Sequence, residues 1–307
     1  MLYLLSIFVM AANAAFDNEI HSKYLTLPRI EFVEYFNSLN LTWTARHYGE
    51  DQRTHRPCAY IDRNATYPTV RHDVSSLSLP DSFDARQQWS QCSSISMIYN
   101  QENCGSCWTF GTAGTASDRT CIHSNVDVQL SEQDLGCCTK CYRQTACDGG
   151  QPPLAFQFWI DSGLVTSDCL PYDINALASN TACTKTCANG NDYNSDKHYG
   201  GRVYSVSSEE DQIMAELYNN GPIETSFYVF SDFNDYSQGV YVHTYGEKRG
   251  LHSVRVIGYG EESGEKYWLV ANSWGTDRGE NGLYKIKRFQ PELEFEDNLL
   301  TAMPKGY

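Results

Sequence analysis

The distribution of cysteine constrains this chain more than any other feature of its sequence. Twelve cysteines occur among 307 residues, at positions 58, 92, 104, 107, 121, 137, 138, 141, 147, 169, 183 and 187. Eleven of them lie between residues 92 and 187, and none follows. A disulfide framework would therefore be concentrated in the middle of the chain, and the last 120 residues must fold on hydrophobic packing alone.

The N-terminus indicates the compartment in which these cysteines function. Residues 1–15, MLYLLSIFVMAANAA, combine an apolar run with the small-residue pattern Ala12-Asn13-Ala14, which is typical of a cleavable signal peptide. No later segment approaches the ~18 apolar residues of a membrane span. We therefore expect a protein of the secretory pathway, in a lysosome-like vacuole or secreted, where cysteines form disulfides.

Composition and charge limit the kinds of partner that this chain can have. A chain of 307 residues that is 41% hydrophobic can bury a substantial core, and this length corresponds to about two units. The net charge of −15 argues against a nucleic-acid partner, because phosphate binding needs a basic surface.

Residues 16–78 are expected to form a first unit. Ile30, Val33 and Phe36 recur at helical spacing, which predicts a helix. Two N-glycosylation sequons begin at Asn40 and Asn64. The polar stretch RHDVSSLSLPD at 71–81 is typical of a linker.

The remainder of the chain, 79–307, changes character along its length. Residues 79–190 are predicted to be mainly helical, with one helix over 107–121 and another opened by Pro152 or Pro153. Residues 191–307 are predicted to be mainly β, with one helix capped by Ser208. Strands are predicted at 227–230, 239–243, 253–260 and 266–274. A cleft between two such halves is a common place for a site.

The stretch QENCGSCW, residues 101–108, contains a candidate nucleophile. Cys107 opens the predicted helix, so the helix dipole and a nearby imidazolium would lower the pKa of its thiol. The C-x-x-C spacing of Cys104 and Cys107 also fits a redox dithiol or half of a zinc site. A structural disulfide cysteine beside a free thiol is the third possibility.

His252 is the candidate base. If Gly260–Gly264 is the turn of an antiparallel hairpin, pairing Ile257 with Tyr267 also pairs His252 with Asn272. The amide oxygen of Asn272 could then accept the imidazole N–H and orient the ring, as an activated nucleophile requires. An ordinary strand histidine near an ordinary asparagine is the alternative.

Three blocks, QENCGSCW, GLHSVRVIGYG and YWLVANSWG, resemble the active-site blocks of papain-family cysteine proteases. Cys107 precedes His252 by 145 residues, within the roughly 130–150 typical of that family. LPDSFDARQQW, SDRTCIHSN, DKHYG and NGPIE are similar to further blocks of cathepsin B. The resemblance implies an α+β fold with a helical, disulfide-rich left lobe, a β-barrel-like right lobe and the active-site cleft between them, preceded by a propeptide.

The resemblance also implies roles for individual residues. Cys107 would be the nucleophile, His252 its base and later acid, and Asn272 the residue that orients His252. Gln101 would donate its side-chain amide to the oxyanion, together with the backbone N–H of Cys107. The substrate-binding residues implied are Gly149, Gly150, Ser226, Ser253, Trp274 and Asn298. Trp274 would shield the histidine from water, and no cofactor or metal is expected.

The same resemblance implies a disulfide pattern that leaves Cys107 free. It comprises Cys92–Cys121, Cys104–Cys147, Cys137–Cys183, Cys138–Cys141 and Cys169–Cys187. Cys58 would fall in the removed segment, so the even total of cysteines is not expected to form six bridges.

Three departures from cathepsin B bear on specificity. The stretch CLPYDINALASNTAC, which spans Cys169 to Cys183, lacks the paired histidines and extra disulfide of the loop that blocks the cleft in cathepsin B. In this it is similar to cathepsin B-like proteases of some protozoa, and it predicts an endopeptidase with little dipeptidyl-carboxypeptidase activity. Arg278 replaces a tryptophan and Leu251 a glycine on the leaving-group side. Ser226, Ser253 and, at its floor, Asn298 would line the pocket for the residue two before the cut.

The expected partners follow from the same resemblance. They are protein and peptide substrates, the chain's own propeptide as an intramolecular inhibitor, and cystatin-like inhibitors, with the protein a monomer. A cut near Leu79 would release the enzyme from residues 16–78. A catalytically silent, binding-only relative and a zinc or redox protein are the competing classes.

Overall fold

The computed structural model describes residues 17–49 and 58–307. The expected signal peptide, residues 1–15, lies outside these ranges. Among the described residues, no helix combines the length and the hydropathy that crossing a membrane would require.

Helices and strands are distributed unevenly along the chain. The helices are α1 (residues 17–26), α2 (Arg29–Ser38), α3 (Ala85–Gln88), α4 (Cys107–Ser124), α5 (Pro152–Ser162), α6 (Ile174–Ala178) and α7 (Glu210–Asn220). The strands are β1 (Trp43–Ala45), β2 (Thr69–Val70), β3 (Phe83–Asp84), β4 (Gly200–Val206), β5 (Ile223–Phe230), β6 (Tyr236–Tyr241), β7 (Lys248–Glu262), β8 (Glu265–Ala271), β9 (Leu283–Lys287) and β10 (Leu299–Pro304). A helical half that carries the disulfides therefore precedes a β half, as the α+β expectation requires.

Two predicted helix features differ from the structure. In α2 the buried side chains are Phe32 and Phe36, whereas Ile30 is 64% exposed. The two phenylalanines are four residues apart and so share a face, and that face packs on Tyr245. Ser208 does not cap α7, because Glu209 takes the extended N-cap conformation one residue later.

The strands form one sheet of order β1-β6-β9-β8-β7-β5-β10-β4-β2, and β3 pairs with β7. Its two end strands come from the N-terminal segment, by which we mean residues 17–49 and 58–78. β1 adds to β6 in an antiparallel manner, and β2 adds to β4 in a parallel manner. The N-terminal segment therefore covers both edges of the sheet that the rest of the chain builds.

The contact between α4 and β7 joins the two halves of the fold. A Cβ on Gly114 of α4 would lie 2.7 Å from Cδ of Arg255 on β7, so a side chain is not accommodated at this close approach. Arg255 is buried and its Nη1 donates to Asp118 Oδ2 of α4 at 2.7 Å. This packing holds the N-terminus of α4 beside β7.

Candidate active site

Cys107 is the first residue of α4 and is fully buried. The helix N-terminus therefore lies at its sulfur, as the sequence predicts, and the helix dipole favours a thiolate there. The backbone N–H of Ser253 on β7 also donates to Cys107 Sγ, at 3.2 Å. Both features would stabilise negative charge on this sulfur once it is free.

His252 and Asn272 are in direct contact. His252 Nε2 lies 2.7 Å from Asn272 Oδ1, which also accepts the backbone N–H of Ser273 at 2.7 Å. Since an amide oxygen can only accept, Nε2 carries the hydrogen and Nδ1 is left as the base. Burial lowers the pKa of His252 to about 4, and the hydrogen bond to Asn272 partly opposes that shift.

The hairpin register that suggested this contact is wrong. β7 pairs Val256 with Val270 and Gly260 with Tyr267, with an irregularity between Val256 and Gly258. The turn is tighter than Gly260–Gly264, because β7 continues to Glu262 and β8 begins at Glu265. Asn272 reaches His252 because β8 ends at Ala271 and the chain turns, with the Asn272 N–H donating to Gly282 O at 3.1 Å.

Trp274 covers the imidazole of His252. The two ring centroids are 4.7 Å apart, and Trp274 is 2% exposed. This position fits the shielding role that the resemblance implies.

Gln101 is held in place by three hydrogen bonds. Its backbone N–H donates to Ser273 O at 2.8 Å, and its Oε1 accepts the Ser273 hydroxyl at 2.7 Å. Its Nε2 donates to Cys104 O at 2.8 Å. An amide nitrogen has two hydrogens, so this arrangement orients the side chain and leaves one donor for a ligand.

Tyr172 supports the same loop, and sequence reasoning did not single it out. Its hydroxyl donates to Gln101 O at 2.9 Å and lies 2.8 Å from Ser106 Oγ. The only available signal was its place in CLPYDINALASNTAC, a stretch that we interpreted only through the histidines and the disulfide that it lacks.

Gly149 and Gly150 contact the N-terminal segment. Gly150 N donates to Cys58 O at 3.2 Å, and Tyr60 N donates to Gly150 O at 2.8 Å. Gly150 and Ala59 of the segment form a parallel β-bridge. A Cβ on Gly150 would lie 2.4 Å from two ring carbons of Trp108, and a Cβ on Gly149 would lie 2.9 Å from the ring of Tyr60. The close approach of the segment therefore depends on Gly149, and the packing of Trp108 depends on Gly150.

A cavity of about 310 Å³ contains two of the three predicted pocket residues. Ser226 and Asn298 line it, as do Glu224 and Leu300, whereas Ser253 does not. The Ser253 hydroxyl instead donates to Glu224 Oε1, at 2.5 Å. The side chain of Asn298 already makes one hydrogen bond within the protein, since its Nδ2 donates to Glu294 O at 2.9 Å.

Glu224 is the pocket residue that sequence reasoning missed. It is 1% exposed, and its Oε1 accepts the hydroxyls of Ser226 and Ser253. Burial raises the pKa of this carboxyl to about 8, and the two serine bonds partly oppose that shift. The block NGPIE contains it, but nothing in the pattern distinguished a buried glutamate from an exposed one.

Five disulfides agree with the implied pattern, and a sixth disulfide departs from it. The five implied pairs are Cys92–Cys121, Cys104–Cys147, Cys137–Cys183, Cys138–Cys141 and Cys169–Cys187, and each is bonded. Cys107, expected to be free, is bonded to Cys58 of the N-terminal segment. The expectation that twelve cysteines do not form six bridges is therefore wrong, because folding places the two leftover thiols together.

Both sulfurs of this sixth bond lie beside His252, so the nucleophile must be chosen between them. Cys58 Sγ is 3.2 Å from His252 Nδ1, but Cys58 is not part of a helix. Cys107 has the helix N-terminus and the N–H of Ser253. With His252, the two sulfurs could also hold a metal ion, but only as thiolates.

Comparisons with known proteins agree with this geometry. The profile described as papain family cysteine protease matches residues 79–303, which include Cys107 and not Cys58. Cathepsin B-like cysteine proteinase 3 of Caenorhabditis elegans is 36% identical, over 99% of this chain and 90% of its own length. Cathepsin B-like cysteine proteinase 4 of the same organism is 39% identical over 77% and 78%.

Solved structures show the same fold. ProCathepsin B S9 from Trypanosoma congolense is 32% identical, with a TM-score of 0.81 over 91% of this chain and 99% of that one. Procathepsin L 3 of Tenebrio molitor, at 22% identity, shares the fold with a TM-score of 0.68. The chain therefore belongs to the papain family of cysteine proteases and is cathepsin B-like.

Proposed function

We propose that the protein is a cysteine endopeptidase made as an inactive precursor. The observation that carries the proposal is the arrangement of Cys107, His252 and Asn272 where the helical and β halves meet. Cys107 lies at a helix N-terminus, and Asn272 Oδ1 lies 2.7 Å from His252 Nε2. His252 Nδ1 lies 3.2 Å from Cys58 Sγ, the sulfur to which Cys107 is bonded.

The proposed reaction uses Cys107 as nucleophile. Its thiolate attacks the scissile carbonyl, and His252 then protonates the leaving amine to give an acyl-enzyme. His252 next takes a proton from the water that hydrolyses this thioester, which restores the thiolate. Asn272 supports both steps because it keeps the imidazole in the tautomer and orientation that leave Nδ1 facing the substrate.

Two N–H donors are assigned to stabilise the oxyanion that forms when the thiolate attacks the scissile carbonyl. One is the backbone N–H of Cys107, and the other is the second hydrogen of Gln101 Nε2. Ser273 and Cys104 fix the Gln101 side chain in the resting protein, so the donor is preorganised. Donors of this kind are typically worth ~10²–10³ in rate.

Substrate is assigned to the cleft that the N-terminal segment occupies. Gly149 and Gly150 would pair with the substrate backbone, and the cavity with Ser226, Asn298 and Glu224 would take the side chain two residues before the cut. The segment's own hydrogen bonds to Gly150 and Leu251 support this assignment, since they use backbone groups of both walls.

Endopeptidase specificity is proposed from the Cys169–Cys183 segment. It holds only the short helix α6 and is tied to the framework by its two disulfides. Without paired histidines, nothing in this segment would bind the terminal carboxylate of a substrate. The enzyme should therefore cut within chains, and do little as a dipeptidyl-carboxypeptidase.

Residues 16–78 are proposed to be the inhibitory propeptide, released by a cut near Leu79. The segment covers Cys107 and His252 and completes both edges of the sheet. Secretion or delivery to a lysosome-like vacuole, and glycosylation at the exposed residues Asn40 and Asn64, are part of the same proposal.

The test uses protein freed of residues 16–78 and kept in thiol reductant. A thiol-reactive peptidyl epoxide should label Cys107 alone, and Cys107→Ala should abolish hydrolysis of an internally quenched peptide. Amidation of the peptide's C-terminus should leave the rate unchanged, because no carboxylate is recognised. Undiminished hydrolysis by Cys107→Ala, or a catalytically silent processed wild type, would overturn the proposal.

A further inference from the structure

We propose that the precursor is locked by the Cys58–Cys107 disulfide, so that activation requires reduction as well as proteolysis. The inference rests on the proposed function, since it assigns a regulatory bond to the proposed nucleophile. It adds a second condition that the removal of an inhibitory segment does not by itself imply.

The first support is the way Cys58 is anchored. Its N–H donates to Leu251 O at 3.0 Å, and its carbonyl accepts the N–H of Gly150 at 3.2 Å. These partners lie on opposite walls of the cleft. The Cα atoms of Cys58 and Cys107 are 5.6 Å apart, within the span of ordinary disulfides. Backbone hydrogen bonds therefore hold Cys58 beside Cys107 in addition to the bond between them.

The second support is the count of cysteines on each side of the proposed cut. The ten other cysteines pair with one another within residues 79–307. One cysteine is then left in each piece, and an odd cysteine in a secreted protein points to a further pairing or to a reactive thiol. All 12 cysteines lie in the described residues, and none of them is free.

The bond has two consequences for activation. While it exists, Cys107 has no thiolate with which to attack a carbonyl. A cut near Leu79 would also leave the two pieces covalently joined through sulfur. Proteolysis alone therefore yields a nicked, inactive protein.

Opening the bond is a thiol–disulfide exchange with a small dithiol or a thiol of the glutathione class. The reductant's thiolate attacks Cys58 Sγ, the sulfur–sulfur bond breaks, and Cys107 leaves as a thiolate. A second thiol resolves the mixed disulfide on Cys58, so that two thiols become one disulfide. Cys107 is the better leaving group, because a leaving thiol of lower pKa departs faster and a helix N-terminus lowers that pKa.

The fold also protects the bond. Cys58 is 1% exposed and Cys107 is 0% exposed, so a reductant reaches neither sulfur until the N-terminal segment loosens. Since exchange rates depend on access, the lock should persist in the intact precursor and yield readily once the segment is nicked.

The experiment compares the full precursor with its Cys58→Ser variant, which keeps the shape of the side chain and all five other disulfides. One sample of each protein is digested under non-reducing conditions and mapped by mass spectrometry. A second sample of each is cut at the Leu79 junction by an added protease without reductant. We expect a Cys58–Cys107 linked peptide in the wild type, and cut pieces that separate only with dithiothreitol. Hydrolysis of a fluorogenic peptide should need dithiothreitol in the wild type, and Cys58→Ser should lose that requirement.

The other outcomes are decisive in different ways. Free thiols at both positions, with or without a bound metal ion, would overturn the lock, as would a cut wild type that is active without reductant. If the linked peptide is present but cut Cys58→Ser hydrolyses nothing even with dithiothreitol, the lock stands and the proposed peptidase function fails.

Discussion

At the scale of single residues, Glu224 shows how burial changes the meaning of a side chain. It lies on β5, and its buried carboxyl accepts the hydroxyls of Ser226 on the same strand and Ser253 on β7. The pKa of this group is about 8 in the folded protein, whereas a solvated glutamate titrates near pH ~4.3. Between these values Glu224 ionises in the unfolded chain and not in the folded protein, so its contribution to the free energy of unfolding falls as the pH rises from about 4.5 to 8.

Glu224→Gln should remove this pH dependence. We expect the difference in the free energy of unfolding between pH 5 and pH 7.5 to be smaller in the variant, by on the order of 3 kcal/mol. Urea unfolding of the precursor at the two pH values measures it. Glu261→Gln, at an exposed position of β7, is the matched control and should behave like the wild type; equal pH dependence in all three proteins would contradict the prediction.

At the scale of elements, α2 binds the rest of the molecule through one aromatic face. Phe32 and Phe36 contact Tyr245 with ring centroids 4.7 and 5.2 Å apart. Trp43 of β1 joins the cluster and donates its indole N–H to Val242 O at 2.9 Å. Arg29 adds an ion pair with Asp235. The N-terminal segment is therefore held by this cluster as well as by its contacts in the cleft.

Phe32→Ala should weaken inhibition by the propeptide. Truncation of a buried phenylalanine costs about 3–5 kcal/mol, so the inhibition constant of a synthetic peptide of residues 16–78 should rise at least ~100-fold. The measurement is inhibition of the processed enzyme in reductant. Ile30→Ala, on the exposed side of the same helix, should change the constant by less than about threefold; similar losses for both would show that the aromatic face is not what binds.

The β7–β8 hairpin shows what element-scale reasoning from the sequence could and could not reach. The two strands and their antiparallel pairing follow from alternating apolar residues and the intervening glycines. The register does not, because a bulge near Ile257 and a shorter turn shift the pairs by two or three positions. Asn272 still meets His252 because it lies beyond the end of β8, where the chain is free to turn.

At the scale of the whole molecule, the N-terminal segment contributes to the burial of His252. The pKa of His252 is about 4 because the imidazole is buried, and Cys58 is one of the groups that bury it. A lowered histidine pKa means that the covered form binds fewer protons than the uncovered form. Acid therefore favours uncovering, over the range from about pH 6.5 down to about 4.

Inhibition by the peptide of residues 16–78 should accordingly weaken in acid. Below about pH 6, the inhibition constant in reductant should rise by up to about tenfold per pH unit. An inhibition constant that stays level from pH 7 to pH 4.5 would contradict the prediction.

The sequence by itself determined the family and the α+β order of the halves, and it singled out Cys107, His252, Asn272 and Gln101 as candidate site residues. These depend on local blocks whose spacing is visible in one dimension. It also implied five disulfides. Only the tertiary structure placed Cys58 against Cys107, turned Ser253 toward Glu224 and buried Phe32 in place of Ile30. Each of these depends on which surfaces meet across long stretches of chain, and periodicity within a segment carries no information about its partner.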